Sequence, residues 1–181
     1  MKKVRMEQAG SLVDVVVYPV AKGRSTKAER KAAGKCSGSV RQAMNDRSAV
    51  RKFRRLLACN FEDHDLVVTL TYSDQFLPRY PEDARDLYLK PFIVKLRRLL
   101  RDEGVDLRYM YVTEGMHGDK RLHHHIVIPA ADGVRDMVRM LWTGGDNVNF
   151  ESIGRRGVDV WAGYLTKEPR KTGRRYVGER M

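Results

Sequence analysis

Apolar and polar residues alternate along several stretches of the chain, and this pattern predicts strands. Residues 12–18 alternate as in a half-buried strand, and residues 65–72 are rich in β-branched side chains, which is typical of a central strand. Three later stretches have the same character: residues 107–113, 122–128 and 147–153. Because a turn with Gly115 and Gly118 joins 107–113 to 122–128, we expect these two strands to pair as an antiparallel hairpin.

Helices are predicted where apolar residues recur at helical spacing, over residues 39–59, 83–102, 133–142 and 158–167. In the first helix we expect one buried stripe, made of Val40, Met44, Val50, Phe53, Leu56 and Leu57. Pro91 should either kink the second helix or mark its true start. Residues 21–38 are rich in Lys, Arg, Gly and Ser and predict a basic loop or a short helix.

This order of elements predicts an α+β fold with a central antiparallel sheet and flanking helices. At 181 residues the chain can bury a core without disulfides or a structural metal, so a metal would serve chemistry. Cys36 and Cys59 lack C-x-x-C spacing, and no stretch is long and apolar enough to span a membrane. We therefore expect a cytoplasmic protein with a basic N-terminal region (1–60) that packs on the core, a core (61–170) and a basic tail (171–181).

The net charge of +12 is concentrated at the two ends of the chain. Residues 1–60 contain 15 Lys and Arg against 4 Asp and Glu, whereas residues 61–162 contain 14 against 17. Residues 163–181 are basic again, with 6 against 2. Positive charge of this density favours nucleic acids, because binding releases counterions from phosphates. A well-solvated surface is the other interpretation of the charge alone.

The most specific motif is the triple histidine on the predicted strand 122–128. In a strand, residues i and i+2 project from the same face, so His123 and His125 can bind one metal ion while His124 points the other way. Glu114, on the preceding strand of the hairpin, can supply a carboxylate on the same face. This set leaves positions open for water or substrate, and its carboxylate favours a hard ion, Mg²⁺ or Mn²⁺.

A second motif lies on the predicted helix 158–167, where helical spacing brings the hydroxyl of Tyr164 and the ammonium of Lys167 to one side. A phenol is a poor nucleophile at neutral pH because it is almost wholly protonated. A nearby cation would help to deprotonate it or to balance charge in the transition state. A Tyr-x-x-Lys pair is common on helix surfaces, so it gains meaning only together with the histidine motif.

Three features, taken in chain order, resemble the motifs of the HUH endonuclease superfamily: Thr69-Leu70-Thr71-Tyr72, then Glu114 with His123-His124-His125, then Tyr164-Leu165-Thr166-Lys167. The tyrosine follows the histidines, which is similar to the replication initiators of small single-stranded-DNA phages and rolling-circle plasmids. One position departs from the pattern of the superfamily, because the hydrophobic residue between the two ligand histidines is His124 here.

The resemblance implies a five-stranded antiparallel sheet and one Mg²⁺ or Mn²⁺ ion held by His123, His125 and Glu114. It also implies that Tyr164, assisted by Lys167, attacks a phosphate of single-stranded origin DNA, a stem-loop by expectation. The products would be a 5′-phosphotyrosine link and a free 3′-hydroxyl, with strand joining later. A host helicase and a polymerase are the expected partners, and Tyr176 is the alternative nucleophile.

Two basic clusters are predicted to contact the DNA backbone: Arg47, Arg51, Arg54 and Arg55 in the first helix, and Arg170, Lys171, Arg174 and Arg175 after the last one. Two other interpretations remain open. One is a transposase or relaxase of the same superfamily, although relaxases generally place the tyrosine before the histidines. The other is a non-catalytic basic protein that binds single-stranded nucleic acid through stacking and phosphate contacts.

Overall fold

The computed structural model describes residues 1–20, 38–115, 120–166 and 177–180. The chain forms two compact units, Met1–Cys59 and Asn60–Met181. The basic segment predicted at 21–38 lies outside the described residues except for Gly38. The roles predicted for the three regions of the sequence stay predictions. Within the described ranges, no helix combines the length and the apolar character that crossing a bilayer requires.

The N-terminal unit consists of an antiparallel hairpin and one long helix. Strands β1 (Lys2–Ala9) and β2 (Leu12–Pro19) pair along their whole length, and helix α1 covers Gly38–Asn60. The structure confirms the predicted strand at 12–18 and the predicted helix at 39–59. The sequence did not predict β1, because charged side chains interrupt its apolar residues and nearly all of its positions are exposed.

Hairpin and helix meet in the second half of α1. At the hairpin turn, Gly10 has a φ of +58°, and a Cβ there would lie 2.0 Å from the carbonyl oxygen of Ala58. Further along, Arg55 Nη2 donates to Asp14 Oδ2 at 2.8 Å. Because these contacts fall late in the helix, Met44 is 60% exposed, and its predicted place in the buried stripe is wrong. Phe53 and Leu57 are buried as predicted.

The C-terminal unit is built on an antiparallel sheet. Four strands, β3 (Leu66–Thr71), β4 (Tyr109–Glu114), β5 (His123–Ile128) and β6 (Val148–Ser152), are joined at one edge by β7 (Val177–Arg180) as a fifth. Their order across the sheet is β6-β3-β5-β4-β7, and all neighbours are antiparallel. This arrangement confirms the predicted α+β class and the predicted pairing of β4 with β5.

One face of this sheet carries the main hydrophobic core. Leu66, Val68 and Leu70 alternate onto this face and are fully or almost fully buried. They pack in one cluster with residues of helix α2 (Lys90–Asp102) and helix α3 (Val134–Leu141). A π-helical stretch, Ala84–Leu89, precedes α2. Pro91 stands in the first turn of α2, so it marks the start of the regular helix, which is one of the two predicted outcomes.

Two short helices follow β6, and they carry the tyrosine motif. Helix α4 (Ile153–Arg156) was not predicted, and helix α5 (Val158–Leu165) was predicted to extend to residue 167. Gly157 separates them with a φ of +82°, a conformation that side chains other than glycine rarely adopt. Trp161 and Leu165 of α5 are buried, as expected for its inner face.

Candidate active site

Glu114, His123 and His125 converge on the face of the sheet opposite the main core. Glu114 of β4 lies directly across from His123 of β5, and His125 lies two residues further along the same face. The two Nε2 atoms of the histidines are 3.2 Å apart. Glu114 Oε2 is 3.8 Å from His123 Nε2, and Glu114 Oε1 is 3.9 Å from His125 Nε2. Strand alternation and hairpin register therefore produce one compact group of ligand atoms.

Neighbouring oxygens orient both imidazole rings. His123 Nδ1 lies 2.7 Å from the carbonyl oxygen of Arg121, and a carbonyl can only accept, so this nitrogen donates. His123 Nε2 consequently carries its lone pair toward the centre of the group. His125 Nδ1 lies 3.0 Å from the hydroxyl of Thr69, which can accept its proton in the same way. Metal-binding histidines commonly have such a partner on their other ring nitrogen.

The group fits a cation by its chemistry and by its dimensions. Glu114 is 1% exposed, and its Oε1 has no hydrogen-bond partner within the described part of the chain. A buried carboxylate oxygen without a partner is costly, and a positive ion compensates it. The separations between the ligand atoms are ones that metal bonds of about 2.1 Å can span. Glu114, His123 and His125 could therefore hold a metal ion; its identity as Mg²⁺ or Mn²⁺ stays a prediction.

Tyr164 lies next to this group. Its ring centroid is 5.3 Å from that of His125, with the two planes at 74°. On the other side its ring meets the buried Trp161 at 5.8 Å, nearly edge-on. Because Trp161 anchors α5, the helix presents Tyr164 to the histidines. Lys167, the cation predicted to assist Tyr164, lies outside the described residues.

The structure places two cations in the site that the sequence analysis missed. Lys120 Nζ donates to Glu114 Oε2 at 2.9 Å. The guanidinium of Arg156 lies 4.9 Å from the ring centroid of Trp161 and 5.8 Å from that of Tyr164. Neither residue has a local spacing that singles it out, because Lys120 follows a turn and Arg156 belongs to the unpredicted helix α4.

A pocket of about 370 Å³ opens over these side chains. Its floor includes Thr69 of β3 and Asn149 of β6, which are paired across the sheet. Its walls include His123, Tyr164 and Arg156. Hydroxyl, amide, imidazole and guanidinium groups thus line one concave surface. Such a surface suits a phosphate-containing ligand better than an apolar one.

The arginines predicted to bind DNA have separate fates. Arg47, Arg51, Arg54 and Arg55 all lie on α1 in the N-terminal unit. Arg55 pairs with Asp14 and Glu7, and Arg51 Nε lies 3.6 Å from Asp14. Part of this cluster therefore joins the helix to the hairpin, and its contact with DNA stays a prediction. The second cluster, Arg170, Lys171, Arg174 and Arg175, lies outside the described residues.

Comparison with known proteins gives one match. The family model of the replication-associated protein ORF2 matches residues 65–169, more than half of the chain. The matched segment contains the candidate metal group and Tyr164. No curated protein matches the sequence, and no solved structure matches it.

Proposed function

Because the chain belongs to the replication-associated protein ORF2 family, we propose that it initiates DNA replication by nicking single-stranded DNA, with the chemistry of a single-tyrosine HUH endonuclease. The observation that carries this proposal is the position of Tyr164, whose ring lies 5.3 Å from that of His125 in the candidate metal group. A nucleophile beside a site for a divalent ion is the arrangement that phosphodiester transesterification needs.

In the proposed step the phenolic oxygen of Tyr164 attacks the phosphorus of one phosphodiester. A bond forms between that oxygen and phosphorus, and the bond from phosphorus to the 3′-oxygen breaks. The phenol loses its proton to solvent or a base, and the leaving 3′-oxygen takes up a proton. The products are a 5′-phosphotyrosine link and a free 3′-hydroxyl. The link conserves the phosphodiester, so attack by another 3′-hydroxyl reverses the chemistry and joins strands.

The chain's own residues bind and orient the DNA in this proposal. Thr69 and Asn149 on the pocket floor offer hydrogen bonds to the nucleotide, and Arg156 offers charge to its phosphate. A divalent ion, when held by Glu114, His123 and His125, would polarise a non-bridging phosphate oxygen. Lys167 and the basic clusters at 47–55 and 170–175 are proposed contacts to the same strand, and a helicase and a polymerase of the host are the proposed partners.

A covalent-adduct assay tests the function. Purified protein is mixed with a pool of labelled single-stranded oligonucleotides, with Mn²⁺ or with EDTA, and run on a denaturing gel. We expect label to migrate with the wild type in Mn²⁺ only, and Tyr164→Phe to abolish the adduct while retaining binding. The matched control is Tyr80→Phe, which removes a hydroxyl from a tyrosine that is 56% exposed and outside the pocket.

The alternatives give different results in the same assay. If Tyr176→Phe abolishes the adduct and Tyr164→Phe does not, the nucleophile has been assigned to the wrong tyrosine. If no oligonucleotide yields an adduct and Tyr164→Phe binds DNA as the wild type does, the protein is a binding module without nicking activity. A transposase or relaxase would form the adduct too, but on the ends or transfer origin of its element rather than on a replication origin.

A further inference from the structure

Arg156 stands between the sheet and the helix that carries Tyr164. Its Nε donates to Glu151 Oε2 at 2.9 Å, and its Nη2 donates to Glu151 Oε1 at 2.8 Å. Glu151 belongs to β6, whose register places it on the same face as Asn149. The carboxylate therefore fixes the plane of the guanidinium, because a two-bond contact of this kind leaves it little rotational freedom.

The fixed guanidinium contacts both aromatic rings of α5. It lies 4.9 Å from the ring centroid of Trp161 and 5.8 Å from that of Tyr164. Both distances are within the range in which a cation is attracted to an aromatic ring. The ring of Tyr164 is thus bounded by three groups: His125, Trp161 and Arg156. Removal of the guanidinium would let the tyrosine ring move away from the histidine.

The same guanidinium faces the pocket. Arg156 is one of the pocket-lining residues, and its side chain is 41% exposed. The bonds to Glu151 use Nε and Nη2, and they leave Nη1 for another acceptor. An arginine with one edge held by a carboxylate and the other directed into a polar pocket is suited to a phosphate oxygen.

We propose that Arg156 contacts the DNA phosphate that Tyr164 attacks, and that it also holds the ring of Tyr164 in place beside His125. Glu151 is the positioning residue for Arg156. This inference rests on the proposed function in one respect, the role of Tyr164 as nucleophile. The phosphate contact can be tested without that role.

The first test measures binding without chemistry. In the Tyr164→Phe background, the affinity for a fluorescent single-stranded oligonucleotide of mixed sequence is measured over a series of salt concentrations. Loss of one phosphate contact lowers the slope of log K against log salt by about 0.7. We expect this loss in Arg156→Gln and not in Arg156→Lys, which keeps the charge. Arg155→Gln is the matched control, because Arg155 is on the same helix and 72% exposed but lacks the ring contacts.

The second test measures the rate of adduct formation at saturating DNA in Mn²⁺. We expect both Arg156→Gln and Arg156→Lys to slow the single-turnover rate by about tenfold or more, because lysine restores the charge without the planar contact to the rings. Arg155→Gln should stay within about twofold of the wild type, since it touches neither ring.

The outcomes separate the two parts of the inference from the proposed function. Equal salt slopes for Arg156→Gln and Arg155→Gln would overturn the phosphate contact. Full recovery of the rate in Arg156→Lys would overturn the positioning of Tyr164. If the wild type forms no adduct, the proposed nicking function fails and the positioning role fails with it, whereas the salt slopes still decide the phosphate contact.

Discussion

The substitution Glu114→Gln should remove the response of the protein to divalent ions. Glu114 contributes the carboxylate of the candidate metal group, and its Oε1 is buried without a hydrogen-bond partner in the described part of the chain. Glutamine has nearly the same shape and can still accept from Lys120, so the fold should be retained. The amide lacks the negative charge, and a neutral oxygen is a much weaker ligand for a hard cation.

The expected magnitude follows from binding linkage. An ion that binds only the folded chain stabilises it by about 2.7 kcal/mol when its concentration is 100 times the dissociation constant. For a chain of this size, 1 kcal/mol corresponds to a change of about 2–4 °C in Tm. Saturating Mn²⁺ should therefore raise the Tm of the wild type by about 5–11 °C. In Glu114→Gln at the same concentration the rise should be about 2 °C or less.

Differential scanning fluorimetry over a Mn²⁺ and a Mg²⁺ titration at one fixed pH makes the measurement. Glu62→Gln is the matched control, because it makes the same change at a carboxylate whose side chain is 78% exposed and outside the metal group. Its Tm should rise with Mn²⁺ as the wild type does. An equal rise in Glu114→Gln, or no rise in the wild type with either ion, would refute the assignment of this group as a metal site.

Three further predictions concern stability. Tyr72→Phe should lower the free energy of unfolding in urea by about 1–3 kcal/mol, because the hydroxyl lies 2.7 Å from the buried Nε2 of His124 and its loss leaves that nitrogen unpaired. The hydrogen bond from Arg55 lowers the pKa of Asp14, so the unfolded chain takes up this proton first as the pH falls. Asp14→Asn should thus lower the Tm at neutral pH, and its difference from the wild type should vanish once the pH falls below the range in which Asp14 titrates. Gly163→Ala should raise the free energy of unfolding by about 0.5–1 kcal/mol, because a Cβ on this helical glycine meets nothing within 4 Å.

Local patterns were sufficient for most of the elements and for one half of the candidate site. Strand alternation places His123 and His125 on one face whatever the rest of the fold does. Glu114 joins them because a hairpin brings neighbouring strands into register, and the structure pairs Glu114 with His123. These inferences involve residues close in sequence, and such contacts are determined by period and turn.

Contacts between distant elements could not be read from the sequence in the same way. Arg156 is one of 35 Lys and Arg residues, and only the approach of α5 to β6 brings it to Tyr164. Asp14 interrupts an apolar run and resembles an exposed position, yet Arg55 pairs with it from 41 residues away. Charged residues in such places are satisfied by tertiary partners, and a one-dimensional pattern contains no information about those partners.

The polar residue between the two ligand histidines is explained by the opposite face of the sheet. His124 is fully buried, and burial, reinforced by the adjacent His123 and His125, lowers its pKa to about 3. Its Nδ1 lies 2.8 Å from the hydroxyl of Thr113, and its Nε2 lies 2.7 Å from that of Tyr72. A proton on Nε2 satisfies every group, since Thr113 then donates to Nδ1, Nε2 donates to the Tyr72 oxygen and Tyr72 donates to the carbonyl of Ala84.

A neutral, fully bonded imidazole can replace a hydrophobic residue in a core, and it adds direction that a hydrophobic residue lacks. Its ring packs edge-on against Tyr72 and Trp142. A shift of β5 by one residue would turn His124 to the pocket and would bury His123 or His125 without these two hydroxyls. The hydrogen bonds of His124 therefore fix the register of β5, and that register is what brings the Nε2 atoms of His123 and His125 together beside Glu114.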